Sequence, residues 1–231
     1  MKTILQTIAV VLLTFGMATA QTFTFTNCGQ TGYTGPSQSQ INTEYGSSNS
    51  LYNQVTSTSG IQYWTVPTTG IYTIEVHGAR GGMSTNYCGC YGNGALMTGD
   101  FNLTAGTQLK ILAGQEGLNN TYDGGGGGGT FVTLVDNTPL IIAGGGGGGA
   151  SATSYQRHAQ TTTSGQNAGC GAGGVNGSGG AGCTVGGGGG LTGNGSGSWY
   201  GTSFVNGGLG NSSSADGGFG GGGSGGGSNG A

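Results

Sequence analysis

GGGGGGTFVTLVDNTPLIIAGGGGGG, residues 124–149, is the stretch on which the fold turns. Two runs of six glycines enclose β-branched and apolar residues grouped around a turn signal, Asp136, Asn137, Thr138 and Pro139. Glycine brings no side chain to bury and is the residue most costly to order, at about 1 kcal/mol or more of backbone entropy each. Such a run is therefore either a solvated linker or an extended, three-per-turn helix of the polyproline-II kind whose free backbone groups bond to neighbours of the same kind. A linker would not carry a hairpin, so residues 130–143 favour ordered glycine helices on either side.

Outward from this stretch the chain is asymmetric. Of its 60 glycines, 17 precede Gly124 and 43 lie from there on. Further blocks fall at 186–190 and 220–223, and Gly171, Gly174, Gly177 and Gly180 share a phase of three. Collagen is excluded, because the phase is not sustained and the chain holds only 3 prolines. Residues 217–231 read as a Gly/Ser spacer. The expected division is a signal peptide over 1–20, a β-sandwich part over 21–123, a glycine-helix part with its hairpin over 124–216, and the tail.

Charged residues make up 5% of the 231, and the net charge is −3. Beyond the leader only Arg80, Lys110 and Arg157 are cationic, which excludes a basic patch for nucleic acid. Lys2, an apolar stretch from Ile4 to Phe15, and Ala18-Thr19-Ala20 before Gln21 read as a secretory leader cleaved between Ala20 and Gln21. No segment is apolar for the ~20 residues a membrane span requires, so a secreted, extracellular protein is expected. Export licenses disulfides among Cys28, Cys88, Cys90, Cys170 and Cys183, an odd set. A Cys170–Cys183 bridge would clamp the period-three segment, adding about 3 kcal/mol by limiting the unfolded chain. Cys88 and Cys90 stand too close to bridge easily, so each is expected to seek a separate partner. With His77 and His158 there are donors enough for zinc, but no ligand spacing of the usual kind; no metal and no cofactor is expected.

The mature chain opens with TFTFTNCG, whose alternation predicts a half-buried strand. IQYWTV from Ile61 and IYTIEVHG from Ile71 are expected to form a hairpin around Pro67–Gly70. Strands near 95–103 and 108–113 are expected to be joined by the turn at 104–106. No stretch after the leader shows sustained helical periodicity. The front half therefore reads as an antiparallel β-sandwich.

The order of motifs carries a resemblance. TNCGQTGYTGPSQSQ, GIQYWTVPTTGIYTIEVHGARGG, LKILAGQEG, GGGGGGTFVTL and PLIIAGGGGGG resemble, in sequence, the glycine-rich extracellular domain of the anaplastic lymphoma kinase and leukocyte tyrosine kinase receptors. The resemblance covers nearly all of the mature chain. It implies an all-β, antiparallel jelly-roll sandwich like that of tumour necrosis factor, with an inserted bundle of polyglycine helices, serving as a ligand-binding ectodomain. The chain departs from the family at Ile41, where the receptors carry a cysteine, which leaves Cys28 without its expected partner. No segment matches the receptors' transmembrane helix or kinase, and the family continues past its last glycine block into strands that complete the sandwich. The chain is read as a fragment or as a sandwich with an open sheet. The receptors' cytokine-binding residues have no counterpart here, so ligand-binding residues stay unassigned.

Signals of catalysis are compositional. Gly222-Gly223-Ser224-Gly225-Gly226 matches G-x-S-x-G without the strand and helix of a nucleophile elbow, and no Walker lysine follows a glycine loop. His77 and Glu75 share a strand face and read as surface partners rather than a base and an acid; Arg80 reads as structural. Asn102, Asn119, Asn176, Asn194 and Asn211 open N-x-[ST] sequons, candidate glycosylation sites.

The function expected is a secreted, non-enzymatic recognition or adhesion module, whose partners are proteins or glycans at a cell surface or in the matrix. A self-assembling subunit of a matrix or filament is the alternative, since weak charge offers little repulsion between copies. A minor alternative is an ice- or surface-binding protein, suggested by TFTFT. Val175, Val185, Leu191, Trp199 and Phe204 are expected to peg the glycine part to the sandwich, and Gly146→Val to do more damage than substitution of Gly225.

Overall fold

Apolar side chains at every second position give the front of the chain its strands, and the faces they form decide how those strands stack. The computed structural model describes residues 20–87, 89–150, 157–167, 171–182 and 185–226. Among these, helix α1 (Gln38–Glu44) precedes seven strands: β1 (Val55–Thr58), β2 (Ile61–Thr65), β3 (Gly70–His77), β4 (Leu96–Leu103), β5 (Gln108–Leu112), β6 (Thr130–Leu134) and β7 (Pro139–Ala143). Every pairing is antiparallel, in one sheet of order β1-β2-β5-β6-β7 and a second of β3 with β4. The fold is all-β, and β3 and β4 pack over β6 and β7.

The five-stranded sheet is buried on both faces, and the alternation shows how. Trp64, Leu109, Ile111, Val132 and Ile141 point into one cluster, joined there by Val76 and Leu103 of the smaller sheet. Their neighbours Ile61, Leu112 and Phe131 point the other way, into a second cluster closed by Phe204 and Phe219 from the glycine-rich half. Each such side chain contributes roughly 1.5–3 kcal/mol by leaving water. In β3, Tyr72, Ile74 and Val76 face inward while Thr73, Glu75 and His77 are exposed, as the sequence pattern predicts.

Two expected hairpins are corrected. Strands β2 and β3 belong to different sheets, as do β4 and β5. The segments between them are corners that cross from sheet to sheet and brace each other: Val66 N donates to Thr107 O at 2.9 Å, Gly106 N to Val66 O at 2.9 Å, and Ala105 N to Thr69 Oγ1 at 2.9 Å. Residues 22–26 lie in no strand, although Phe23 and Phe25 are half-buried against Trp64, at 4.8 and 5.6 Å between ring centres. The hairpin within 130–143 is present as β6 and β7, with a register shift at Val132/Thr133. The unforeseen α1 starts with a capping box: Ser37 Oγ accepts from Gln40 N, and Gln40 Oε1 accepts from Ser37 N at 2.8 Å.

The glycine-rich half is held by backbone hydrogen bonds that rotate through three neighbours. Gly124 and Gly127 donate to the carbonyls of Gly149 and Gly146, Gly125 and Gly128 to Leu118 and Gln115, Gly126 and Gly129 to Gly223 and Gly220, all between 2.8 and 3.0 Å. Each step of three along the run moves the acceptor back by three, so every third residue meets the same antiparallel neighbour. In return Gly82 and Ala79 donate to Gly125 and Gly128, and Gly218 to Gly126. Segments that wrap residues 124–129 thus come from the front half as well as the back. Only residues without Cβ approach so closely: a Cβ on Gly145, Gly146 or Gly148 would fall inside the backbone carbonyl of Gly127, Gly92 or Gly124.

The spacer reading of the tail is corrected for its described part. Residues 217–226 are all buried, Phe219 is 0% exposed, and Gly223 and Gly220 accept from Gly126 and Gly129. A glycine segment with no side chains looks the same in sequence whether water or backbone surrounds it. Among the expected pegs, Phe204 is 2% exposed and Leu191 is partly buried against the same cluster, but Val175 and Trp199 are 52% and 42% exposed. Phe219 is the peg that the sequence reading missed.

Candidate functional site

Three segments laid side by side on the glycine-rich half present large apolar side chains to solvent, and on two of them these are aromatic. Gly210 N donates to Tyr33 O at 2.9 Å, Thr202 N to Leu209 O at 2.9 Å, and Asn211 Nδ2 to Tyr200 O at 3.1 Å, which ties together the chain around residues 33, 200 and 210. Tyr33, Trp199, Tyr200 and Leu209 are each between 37% and 42% exposed. Trp199 also takes a φ of 58°, the left-handed region, which a bulky residue avoids at a cost on the order of 1–3 kcal/mol. Its carbonyl accepts from Ser224 N at 2.9 Å, so the buried tail fixes the strained backbone beneath an exposed ring.

Beside this rim, Leu209 forms one wall of an open groove whose other walls are Thr34, Gly35, Ser37, Gln40 and Ser59. Its floor is tightly packed for a local reason. A Cβ on Gly35 would meet the Cα of Gly60 at 2.7 Å and the ring of Phe219, so two backbones lie in contact over one buried phenyl. Ser57 Oγ donates to Pro36 O at 2.9 Å and Ser57 N to Gln38 Oε1 at 2.7 Å, which joins β1 to the start of α1. The groove is lined by hydroxyls, amides and backbone together with the apolar Pro36 and Leu209, and carries no charged residue.

The chemistry-bearing residues singled out from the sequence do not converge. His77 Nε2 lies 2.8 Å from Glu75 Oε1 on the exposed face of β3, while His158 Nδ1 accepts from Asn93 N at 2.9 Å elsewhere. Arg80 Nε donates to Glu116 Oε1 at 2.7 Å, and its guanidinium lies 5.0 Å from the centre of the Tyr91 ring. Among the described residues no group of three or more His, Cys, Asp and Glu could hold a metal ion. Ser224, centre of the G-x-S-x-G match, donates to Ala215 O at 2.8 Å and is 1% exposed, so its hydroxyl is part of the packing.

Cys28 is a free, buried thiol, pushed up from its ordinary pKa by burial and then by the nearby Glu44 carboxylate, against the Thr26 hydrogen bond. It closes a polar cluster in which Tyr45 Oη accepts from Thr26 N at 2.9 Å and donates to Gln62 Oε1 at 2.8 Å, while Gln62 Nε2 donates to Thr26 O at 2.7 Å. Cys90 is disulfide-bonded. Cys88, Cys170 and Cys183, and with them the Cys170–Cys183 bridge, lie outside the described residues, as does the leader up to Thr19; Ala20 and Gln21 are exposed.

The five sequons differ in what their side chains already do. Asn211 Nδ2, the atom a glycan would take, donates to Tyr200 O, and Asn194 Oδ1 accepts from Ser203 N at 2.8 Å and Asn206 Nδ2 at 2.9 Å. Asn119 Oδ1 accepts from Met83 N at 2.8 Å. Asn102 on β4 and Asn176 in a turn are exposed.

No family model matches the chain. The chain is similar to the leukocyte tyrosine kinase receptor of Mus musculus. The two are 32% identical over 103 residues, which is 44% of this chain and 12% of the receptor, so the likeness is partial and the chain spans a small share of the receptor's length. Among the described residues no helix is long and apolar enough to cross a membrane. The aromatic rim and its groove were not legible as a site, since they join residues 33–40, 57–60 and 199–211. The one local signal was Trp199-Tyr200, two large aromatics among glycines and serines.

Proposed function

We propose that this chain is a secreted, non-enzymatic recognition or adhesion module. Its frame is a jelly-roll-like β-sandwich into which a bundle of polyproline-II-like glycine helices is set, and its contact surface is the rim of Tyr33, Trp199, Tyr200 and Leu209 with the adjoining groove. The observation that carries the reading is Trp199, a large aromatic held exposed in a strained backbone by a buried glycine lattice. Exposed tyrosine and tryptophan on a rigid frame lose little conformational freedom on binding and dominate contact energies. The uncharged groove beside them, with hydroxyls and amides next to the apolar Pro36 and Leu209, suits a neutral partner that has both polar and apolar faces, a glycan or a protein loop at a cell surface or in the matrix. The period-three bonding of residues 124–129 supports the helical reading of the glycine runs, and partial likeness to a receptor supports an extracellular setting.

The test is binding of the full chain to a glycan array and to a panel of displayed extracellular proteins, beside Trp199→Ala and Tyr200→Ala. The expected result is a discrete set of binders lost by at least tenfold in both variants, whose thermal unfolding stays within a few degrees of the parent. No binder above background, or binders that Trp199→Ala leaves untouched, would remove the reading.

A further inference from the structure

The smaller sheet has two strands, both eight residues long, and this leaves an edge with which no other described segment pairs. Strand β4 packs chiefly on β7, whereas β3 packs on β6 as well, so β4 is the outermost strand of its layer, above the outermost strand of the other. On β3 the inward Tyr72 meets Trp64, which Phe23 and Phe25 also touch. Among the described residues no backbone hydrogen bond joins residues 96–103 to any segment but β3.

Exposed edges in monomers are commonly blunted by proline, lysine, a bulge or short length. The other sheet follows this practice at both ends: β1 has four residues, and β7 begins at Pro139 and pairs across a register shift. LMTGDFNL has none of these devices. Its inner residues Met97 and Phe101 are partly buried at the margin of the main core, and its outer residues Leu96, Thr98, Asp100 and Asn102 are exposed.

We propose that β4 is the surface through which two copies of this chain pair, antiparallel, about a twofold axis at Gly99. Twofold pairing there brings Gly99 to Gly99 of the partner and sets Thr98 against the partner's Asp100, twice. No like charges stand opposite each other, and each hydroxyl meets a carboxylate, as Thr73 already meets Asp100 within the chain at 2.6 Å. On the inner face Met97 comes opposite the partner's Phe101, a favourable sulfur–aromatic pairing that extends the core across the axis. Glycine at the axis removes the one pair of side chains that would crowd it. The result is a continuous four-stranded layer, β3-β4-β4-β3. Because a twofold interface closes on itself, it yields a pair and not a filament. This inference does not depend on the aromatic rim or on what binds there.

The test is sedimentation velocity of the full chain across the micromolar range, with Thr98→Asp, Thr98→Lys and Thr56→Asp beside it, and hydrogen exchange at the two ends of that range. Thr98→Asp sets a carboxylate of each copy against Asp100 of the other, two repulsive pairs, and is expected to weaken pairing about tenfold; Thr98→Lys sets two attractive pairs and is expected to strengthen it several-fold. Thr56→Asp on β1 is expected to leave it unchanged. Amides of residues 96–103 are expected to gain protection with concentration even where Thr98→Asp lowers the stability of the single copy through Glu75, its cross-strand neighbour. A monomer at every concentration, equal effects of Asp and Lys at position 98, or protection gained elsewhere would overturn the proposal.

Discussion

Adding one methyl group to the glycine lattice is the sharpest probe of how the second half is held, and the sites are matched by the structure itself. At Gly146 a Cβ would stand 2.7 Å from the carbonyl carbon of Asn93 and closer still to the carbonyl of Gly92; at Gly225 it would stand 2.8 Å from the carbonyl carbon of Asp123 and 3.0 Å from Gly124 O. These are backbone atoms that cannot turn aside. Room requires segments to part, which costs roughly 1–3 kcal/mol as overpacking and weakens the bonds that Gly146 and Gly225 donate to Ala79 and Ala215, each about 0.5–1.5 kcal/mol. Alanine returns roughly 0.4–1 kcal/mol by restricting the unfolded chain. The expected net loss is ~2–3 kcal/mol at each position, the same in the tail as in the first runs, contrary to the sequence-based ranking. Gly144 belongs to the same run as Gly146, yet its Cβ would meet Ala159 Cβ at 3.6 Å, ordinary contact, and Gly70 faces open space. Alanine at these two is expected to be neutral or to stabilise by up to about 1 kcal/mol. Urea unfolding followed by circular dichroism and tryptophan fluorescence measures all four; each kcal/mol corresponds to about 2–4 °C in Tm for a chain of this size. If Gly146→Ala is costly while Gly225→Ala is neutral, the tail is not part of the lattice. If all four are neutral, the close-packed lattice is wrong.

Two further outcomes are expected. Burial pushes the pKa of Tyr45 up from 10.0 to about 12, against the hydrogen bond from Thr26 N; its contribution is therefore whole below about pH 10, where both states are protonated, and is lost as pH rises toward 12, because the unfolded phenol ionises first. The loss is on the order of 2–3 kcal/mol, and a pH series of unfolding midpoints that falls no more steeply over this window than that of Tyr45→Phe would refute it. Phe219→Ala should cost about 3–5 kcal/mol, since the ring is 0% exposed and bears the contact of Gly35 with Gly60; denaturant titration showing a loss below ~1 kcal/mol would mean that the second apolar cluster does not need the tail.

The β class, the faces of β3 and the hairpin around Asp136–Pro139 were determined by the sequence alone, because alternation and turn chemistry act between residues close together in the chain. So was the order in the first glycine runs, through the apolar residues they enclose. The hairpin partners could not be read this way: Pro67–Gly70 and Thr104–Gly106 are compatible with a tight turn, and only the two-sided burial of the five-stranded sheet makes them corners. Helix α1 was announced solely by Ser37 and Gln40, a signal of two residues in a polar stretch. For the glycines the limit is stricter still. A residue without a side chain has no face, so the glycines of GGFGGGGSGG do not distinguish a solvated tail from the buried segment that accepts from Gly126 and Gly129 and sets the backbone of Trp199, and Phe219, which seals the second cluster, was the single apolar signal there. Tertiary packing decided that, because several of the hydrogen bonds that hold these residues join them to segments far away in the chain, around Gly32, Gln115, Gly126 and Gly129.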